Sequence, residues 1–134
     1  MIGVVDASAL VRLFVPDGPL PEGFEPFMQG VETGANVALA PQLLLAEAGN
    51  VVLRKVRGGQ LRPEEGDELI GLFVRAPIRL AEHGALLASA FRLAAESGLT
   101  LYDALYLALA IERGARLFTG DERLAGVAKR TGLG

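Results

Sequence analysis

The sequence predicts an α/β domain: a short parallel sheet of four to five strands with helices on both faces. Three observations carry that reading. Short apolar runs recur at residues 1–5, 36–40, 78–81 and 116–119, without the alternation a half-exposed strand would show, as expected for strands buried on both faces. Stretches with helical apolar spacing separate them, so the strands are joined by crossovers. The chain has 134 residues, 51% of them hydrophobic, which suits one core and a single domain over 1–134.

The elements follow in order. Residues 1–5 form the first strand, which stops at Asp6. Ser8 is an N-cap for a short helix over 9–15, ended by Pro16. A Pro- and Gly-containing loop covers 17–21. Phe24, Phe27, Met28 and Val31 share one face of a second helix, weakened by Gly30. After the strand at 36–40, Pro41 is placed to open a helix, because its missing N–H falls among the unbonded donors of a first turn. That helix runs to about Val56 and stops at Gly58-Gly59. Pro63 starts the next, with Glu64 and Glu65 suiting the helix dipole, and Pro77 ends it. The strand at 78–81 leads to a helix over 84–96, closed by Ser97-Gly98. A strongly apolar helix spans 100–113 and halts at Gly114. The strand at 116–119 then feeds a last helix starting near Asp121.

Composition removes several chemistries. The chain has no cysteine, hence no disulfide, thiolate metal site or cysteine nucleophile, and this suits a reducing, cytoplasmic setting. No membrane association is expected. The apolar run 104–111 lies between Asp103 and Glu112, far short of the roughly 20 residues a bilayer helix needs. The first apolar stretch lacks a basic lead and is interrupted by Asp6, unlike a signal peptide. The net charge of −3 means that any grip on nucleic acid rests on a local patch or on metal ions. The one histidine, His83, reads as a surface residue at a helix start. Its isolation argues against histidine-driven RNA cleavage and against a Ser-His-Asp triad.

Four acids stand out. Asp6 and Asp121 lie at the carboxyl ends of two strands, where open parallel sheets bind ligands. Glu47 and Asp103 lie on helices among small and apolar neighbours, where a lone charge is costly. Each has a structural reading. Asp121 suits an N-cap, Thr100 and Asp103 have the spacing of a capping box, and Asp6 is as well suited to capping the first helix as to a site. Glu47 reads as too far into its helix to cap anything. Together the four are harder to explain structurally, since two carboxylates at 4 Å repel by roughly 4 kcal/mol at an effective dielectric of 20. A hard divalent ion, Mg²⁺ or Mn²⁺, makes such a group tolerable.

The stretches around these acids resemble the motifs of PIN domains, in order and over nearly the whole chain. Val4-Val5-Asp6-Ala7-Ser8-Ala9-Leu10 is similar to the opening motif, and Leu44-Leu45-Ala46-Glu47-Ala48-Gly49-Asn50 to the second. The run from Leu101 to Ala110 around Asp103 resembles the third. Leu117-Phe118-Thr119-Gly120-Asp121-Glu122-Arg123-Leu124 resembles the fourth. The resemblance is to the VapC-type toxin ribonucleases within that family. It implies a PIN-like three-layer fold and a Mg²⁺-dependent endoribonuclease, the toxin of a toxin–antitoxin pair. It further implies a homodimer neutralised by a cognate antitoxin protein. It assigns catalysis to Asp6, Glu47, Asp103 and Asp121, with metal on Asp6, Asp103 and Asp121 and support from Ser8, Asn50 and Thr119. Family members often carry a final strand after the last helix; with Leu133-Gly134 ending the chain, that strand is expected to be missing or vestigial.

Asn50, Arg54 and Arg57 fall along one stripe of the helix that carries Glu47. They suit either a track for RNA phosphates or a solvated, dipole-matched helix end. Tyr102 and Tyr106 flank Asp103 and read first as core packing, second as base stacking. Two other functions fit acids at strand ends: a catalytically inactive PIN-like binding module, which retention of four acids disfavours, and a phosphoaspartyl protein. A haloacid-dehalogenase-like enzyme wants a second Asp where Ser8 stands, and a receiver wants a lysine earlier than Lys129.

Overall fold

A wholly parallel, four-stranded sheet in the order β3-β2-β1-β4 forms the centre of the computed structural model, which describes residues 1–134. The strands are β1 (Ile2–Val5), β2 (Val37–Pro41), β3 (Ile78–Ala81) and β4 (Arg116–Phe118). Seven helices join and follow them: α1 (Ala7–Phe14), α2 (Phe24–Glu32), α3 (Leu44–Arg57), α4 (Pro63–Arg75), α5 (Leu87–Ser97), α6 (Leu101–Arg113) and α7 (Glu122–Arg130). From β1 through β2 to β3 the chain steps one way across the sheet. From β3 to β4 it returns past both. Right-handed crossovers therefore put α5 and α6 on the face opposite the earlier helices. The result is the α/β sandwich expected from the sequence.

Packing explains the apolar runs. Val4 and Val5 in β1 and Ala38, Leu39 and Ala40 in β2 are buried, and α6 is buried without interruption from Ala104 to Ala110. That helix lies against β1, β2 and β4 and is covered by α5. α2 runs through Gly30. The amide of Asn36 occupies the space a Cβ there would need, and its Nδ2 donates to the Phe27 carbonyl at 3.0 Å.

Several boundaries differ from the expectation. Asp6, not Ser8, caps α1: its carboxylate accepts the Ala9 N–H at 2.9 Å, so the helix starts at Ala7 and Ser8 lies in its first turn. Pro41 closes β2 instead of opening a helix. Its missing N–H costs nothing at the end of a strand, and Gln42 resumes the pairing by donating to Ala81 O at 3.0 Å. The next helix consequently begins at Leu44. The helix expected from residue 84 opens as one 3₁₀ turn, Gly84–Leu86, before α5. Thr100 accepts the Asp103 N–H at 3.1 Å, but the return bond of a capping box is absent, leaving the Asp103 carboxylate unengaged by the helix start. No fifth strand forms; the Leu117 N–H donates to Leu133 O at 2.8 Å, one backbone bond beyond β4.

Candidate active site

β1 and β4 are neighbours, so the residues just past their carboxyl ends meet. The Asp6 N–H donates to Phe118 O at 3.2 Å across that junction. Asp6 is 5% exposed, with both carboxylate oxygens engaged. Oδ1 accepts from Ser8 Oγ at 2.7 Å and from the Ala9 N–H at 2.9 Å, and Oδ2 accepts from the Thr119 hydroxyl. The same two hydroxyls take backbone donors from the turn after β4: Gly120 N–H to Ser8 Oγ at 2.8 Å and Asp121 N–H to Thr119 Oγ1 at 3.0 Å. Two short relays thus tie the β4–α7 turn to Asp6. Ser8 and Thr119, two of the supporting candidates from the sequence, are thus both bonded to Asp6.

Asp121 is the N-cap of α7, accepting the Leu124 N–H at 2.9 Å through Oδ1. The cap uses one oxygen and leaves Oδ2 without a hydrogen-bond partner. Arg12 braces the turn from outside. Its Nη1 donates to Gly120 O at 3.2 Å and Pro19 O at 3.1 Å, and its guanidinium fills the space a Cβ on Gly120 would need.

Glu47 sits in the first turn of α3, because that helix starts three residues later than the Pro41 reading placed it. Although nearer the helix start than expected, it still lies past the capping positions, its own N–H donates to Leu43 O, and its side chain makes no cap. Instead Tyr106 Oη donates to Glu47 Oε1 at 2.6 Å. Tyr106 is 1% exposed, one turn beyond Asp103 on α6, so the phenol joins α6 to α3 beneath the acids. It is core, as the sequence favoured, with a polar tip that sequence reasoning missed. Its spacing of three from Asp103 was the one available signal. Burial and the Glu47 carboxylate push the Tyr106 hydroxyl far above its ordinary range, so it remains a donor.

The acids act on one another. Burial raises the Asp6 carboxyl above its ordinary value; bonds from Thr119, Ala9 and Ser8 oppose this, and the charge of Asp103 adds to it. Burial also raises Glu47, opposed by Tyr106 and assisted by Asp103 and Asp6. Asp103 is raised by burial and by Asp121, against the Thr100 hydroxyl and the Arg123 guanidinium. None of the four takes part in an ion pair. A chain of mutual repulsion therefore runs from Glu47 through Asp6 and Asp103 to Asp121.

These side chains as they stand do not close into a ready ligand set. Asp6 is held by hydroxyls and an amide, and Asp121 by its helix. The donor chemistry nevertheless fits a hard divalent ion: carboxylate oxygens only, no nitrogen or sulfur, and unneutralised like charge. Asp6, Asp103 and Asp121 would hold it.

Of the remaining sequence candidates, Asn50 is exposed and makes no side-chain hydrogen bond. Arg54 and Arg57 lie exposed and unpaired in the last turn of α3. Lys55 between them pairs with Asp17 at 2.6 Å.

Comparison with known proteins bears on the family and the fold. The PIN domain family matches residues 3–130. Ribonuclease VapC3 of Pyrobaculum aerophilum is 34% identical over 125 residues, 91% of each chain. Among solved structures, PAE2754 from Pyrobaculum aerophilum superposes with a TM-score of 0.70 at 28% identity, covering 94% of this chain and 86% of that one. VapC20 from Mycobacterium tuberculosis, a Sarcin-Ricin loop cleaving toxin, gives 0.65 at 12% identity, over 93% and 94% of the two chains. VapBC2 from Rickettsia felis, solved with a DNA fragment from its promoter, gives 0.58 at 16%, over 87% and 86%. The last two speak to the fold alone.

Proposed function

The chain belongs to the PIN-domain family, and on that premise we propose that it is a Mg²⁺-dependent endoribonuclease acting as the toxin of a toxin–antitoxin pair. The observation that carries this reading is the gathering of acids past the sheet's carboxyl end: Asp6 and the Asp121 N–H share the Thr119 hydroxyl, Glu47 is bonded by Tyr106 one turn from Asp103, and none of the four has an ion pair. The likeness to a protein named as a ribonuclease over 91% of both chains supports it.

A Mg²⁺ or Mn²⁺ ion held by Asp6, Asp103 and Asp121 would lower the pKa of water and stabilise charge on the phosphate. The protein's own groups do the rest. Ser8 and Thr119 fix the Asp6 carboxylate. Glu47, held by Tyr106, orients the attacking water and accepts its proton. The water oxygen bonds to phosphorus in line as the P–O3′ bond breaks. The 3′ oxygen takes a proton from solvent, leaving a 3′-hydroxyl and a 5′-phosphate.

Arg54 and Arg57, exposed along α3 beyond Glu47, are the proposed phosphate track for RNA, with Asn50 nearer the acids. Homodimerisation and capture by a cognate antitoxin belong to the same proposal, as does a cytoplasmic setting. No helix is long and apolar enough to cross a membrane.

Cleavage of an end-labelled RNA, with Mg²⁺ and with chelator, tests the reading. Wild type is expected to cut only with the ion, and Asp6→Asn not at all, while both give the same far-ultraviolet circular dichroism. Equal cutting by the two proteins would remove Asp6 from the chemistry. A wild type that binds RNA and never cuts it would leave the inactive-module reading in its place.

A further inference from the structure

We propose that Arg123 receives the substrate at this site, its guanidinium donating to non-bridging oxygens of the phosphodiester beside Asp103. The inference rests on the nuclease reading and adds the group that admits a polyanion to a pocket of carboxylates.

Its position is fixed by two helix ends. Arg123 is the second residue of α7, two beyond the Asp121 cap. From there the side chain crosses to the loop between α5 and α6. A Cβ on Gly98 would lie 2.7 Å from Arg123 Nη2 and 3.8 Å from Cζ. Gly98 is the left-handed C-cap of α5, at φ +72°, and precedes the Thr100 cap of α6 by two residues. Glycine is therefore required there by the backbone, and its bareness lets the guanidinium lie against the loop that leads into Asp103.

Three other cations are occupied, and the unpaired Arg54 and Arg57 lie at the far end of α3 from Glu47. Arg12 holds Pro19 and Gly120 carbonyls, and Lys55 holds Asp17. Arg116 donates to Glu22 O and lies over the Phe118 ring. Arg123 is exposed and makes no hydrogen bond or ion pair within the chain, so its whole planar fork is free. It is also the one cation whose charge opposes the shifts of the buried acids, and it does so at Asp103. A net charge of −3 supplies no overall attraction for RNA. A free guanidinium at the rim supplies both attraction and bidentate geometry for phosphate.

The competing role is simple charge compensation of Asp103, and the two predict opposite outcomes. Arg123→Gln and Arg123→Lys would be compared with wild type in full-length protein. RNA affinity and its salt dependence would be read by anisotropy in an Asp6→Asn background, cleavage in the native background, and metal affinity with Mn²⁺ as probe. Phosphate binding predicts that Arg123→Gln weakens RNA roughly tenfold or more, lowers the salt slope by about 0.7, and leaves Mn²⁺ affinity equal or tighter. Lysine restores the slope and only part of the affinity. Unchanged RNA affinity and slope in Arg123→Gln, with altered Mn²⁺ affinity or none, would overturn the inference while wild-type cleavage still upheld the nuclease. A wild type that neither binds nor cuts RNA would overturn both.

Discussion

Asp6 is a charge placed where burial resists it, and its neighbours compensate only in part. Asparagine keeps an oxygen to accept the Ala9 N–H and discards the charge. Asp6→Asn is therefore expected to raise Tm by several degrees, about 1 kcal/mol corresponding to about 4 °C at this size, while abolishing cleavage; calorimetry beside the RNA assay measures both. A lowered Tm would mean that the carboxylate is held for stability. The pH dependence follows from the same shifts. Asp6, Glu47 and Asp103 have folded pKa values above their ordinary ones, so the folded protein binds these protons more tightly than the unfolded chain. Their contribution to stability grows as pH falls through the folded values and levels off below the ordinary carboxylate range. With chelator present, Tm should rise as pH falls from neutrality towards the ordinary carboxylate range, and a steady fall over that descent contradicts the assignment. Tyr106→Phe keeps the buried ring and removes the donor to Glu47. A drop in kcat of roughly tenfold, with RNA affinity retained, is expected from losing one charge-assisted bond. Unchanged kcat would make that bond merely structural. Of these groups, the acids were legible in the sequence. The Tyr106–Glu47 bond, between residues 59 apart, was not.

Helices and strands were legible wherever one signal acted alone. The apolar runs of β1, β2, β3 and β4 and the glycine stops at Gly98 and Gly114 belong to this class, since both glycines adopt positive φ. Boundaries shifted where two groups competed for one role. Asp6 and Ser8 both suit an N-cap, and the aspartate at the strand end won because Ser8 was drawn to Gly120 and Asp6. Pro41 suits either a helix start or a strand end, and pairing with β3 decided it. Sheet packing also makes a demand no local pattern shows. A Cβ on Gly3 would lie 2.6 Å from Phe27 Cζ and 2.8 Å from Phe118 Cε2, both on rings stacked against each other at 4.7 Å. Gly3→Ala should therefore cost about 1–3 kcal/mol by overpacking, seen as a shifted denaturation midpoint with unchanged slope. A neutral result would mean that the α2–sheet interface yields easily.

For the protein as a unit, the topology sets up the candidate site: placing β4 beside β1 links the turn before Asp121 to Asp6 through Thr119, and seating α6 against the sheet lets Tyr106, one turn from Asp103, reach Glu47 on α3. An ion bound only by the folded arrangement must stabilise it, by about 2.7 kcal/mol at a hundredfold excess over Kd. Mg²⁺ or Mn²⁺ should therefore raise wild-type Tm, and far less so in Asp103→Asn; equal shifts would place the ion elsewhere. The most direct check is the cleavage rate of end-labelled RNA against Mg²⁺ concentration, for wild type and for Asp103→Asn. Saturable activation of wild type is expected, with 3′-hydroxyl and 5′-phosphate ends, and a variant at least about a hundredfold slower at every concentration. Matching curves, or wild-type cutting that persists in chelator, would contradict an acid-held ion as the source of activity.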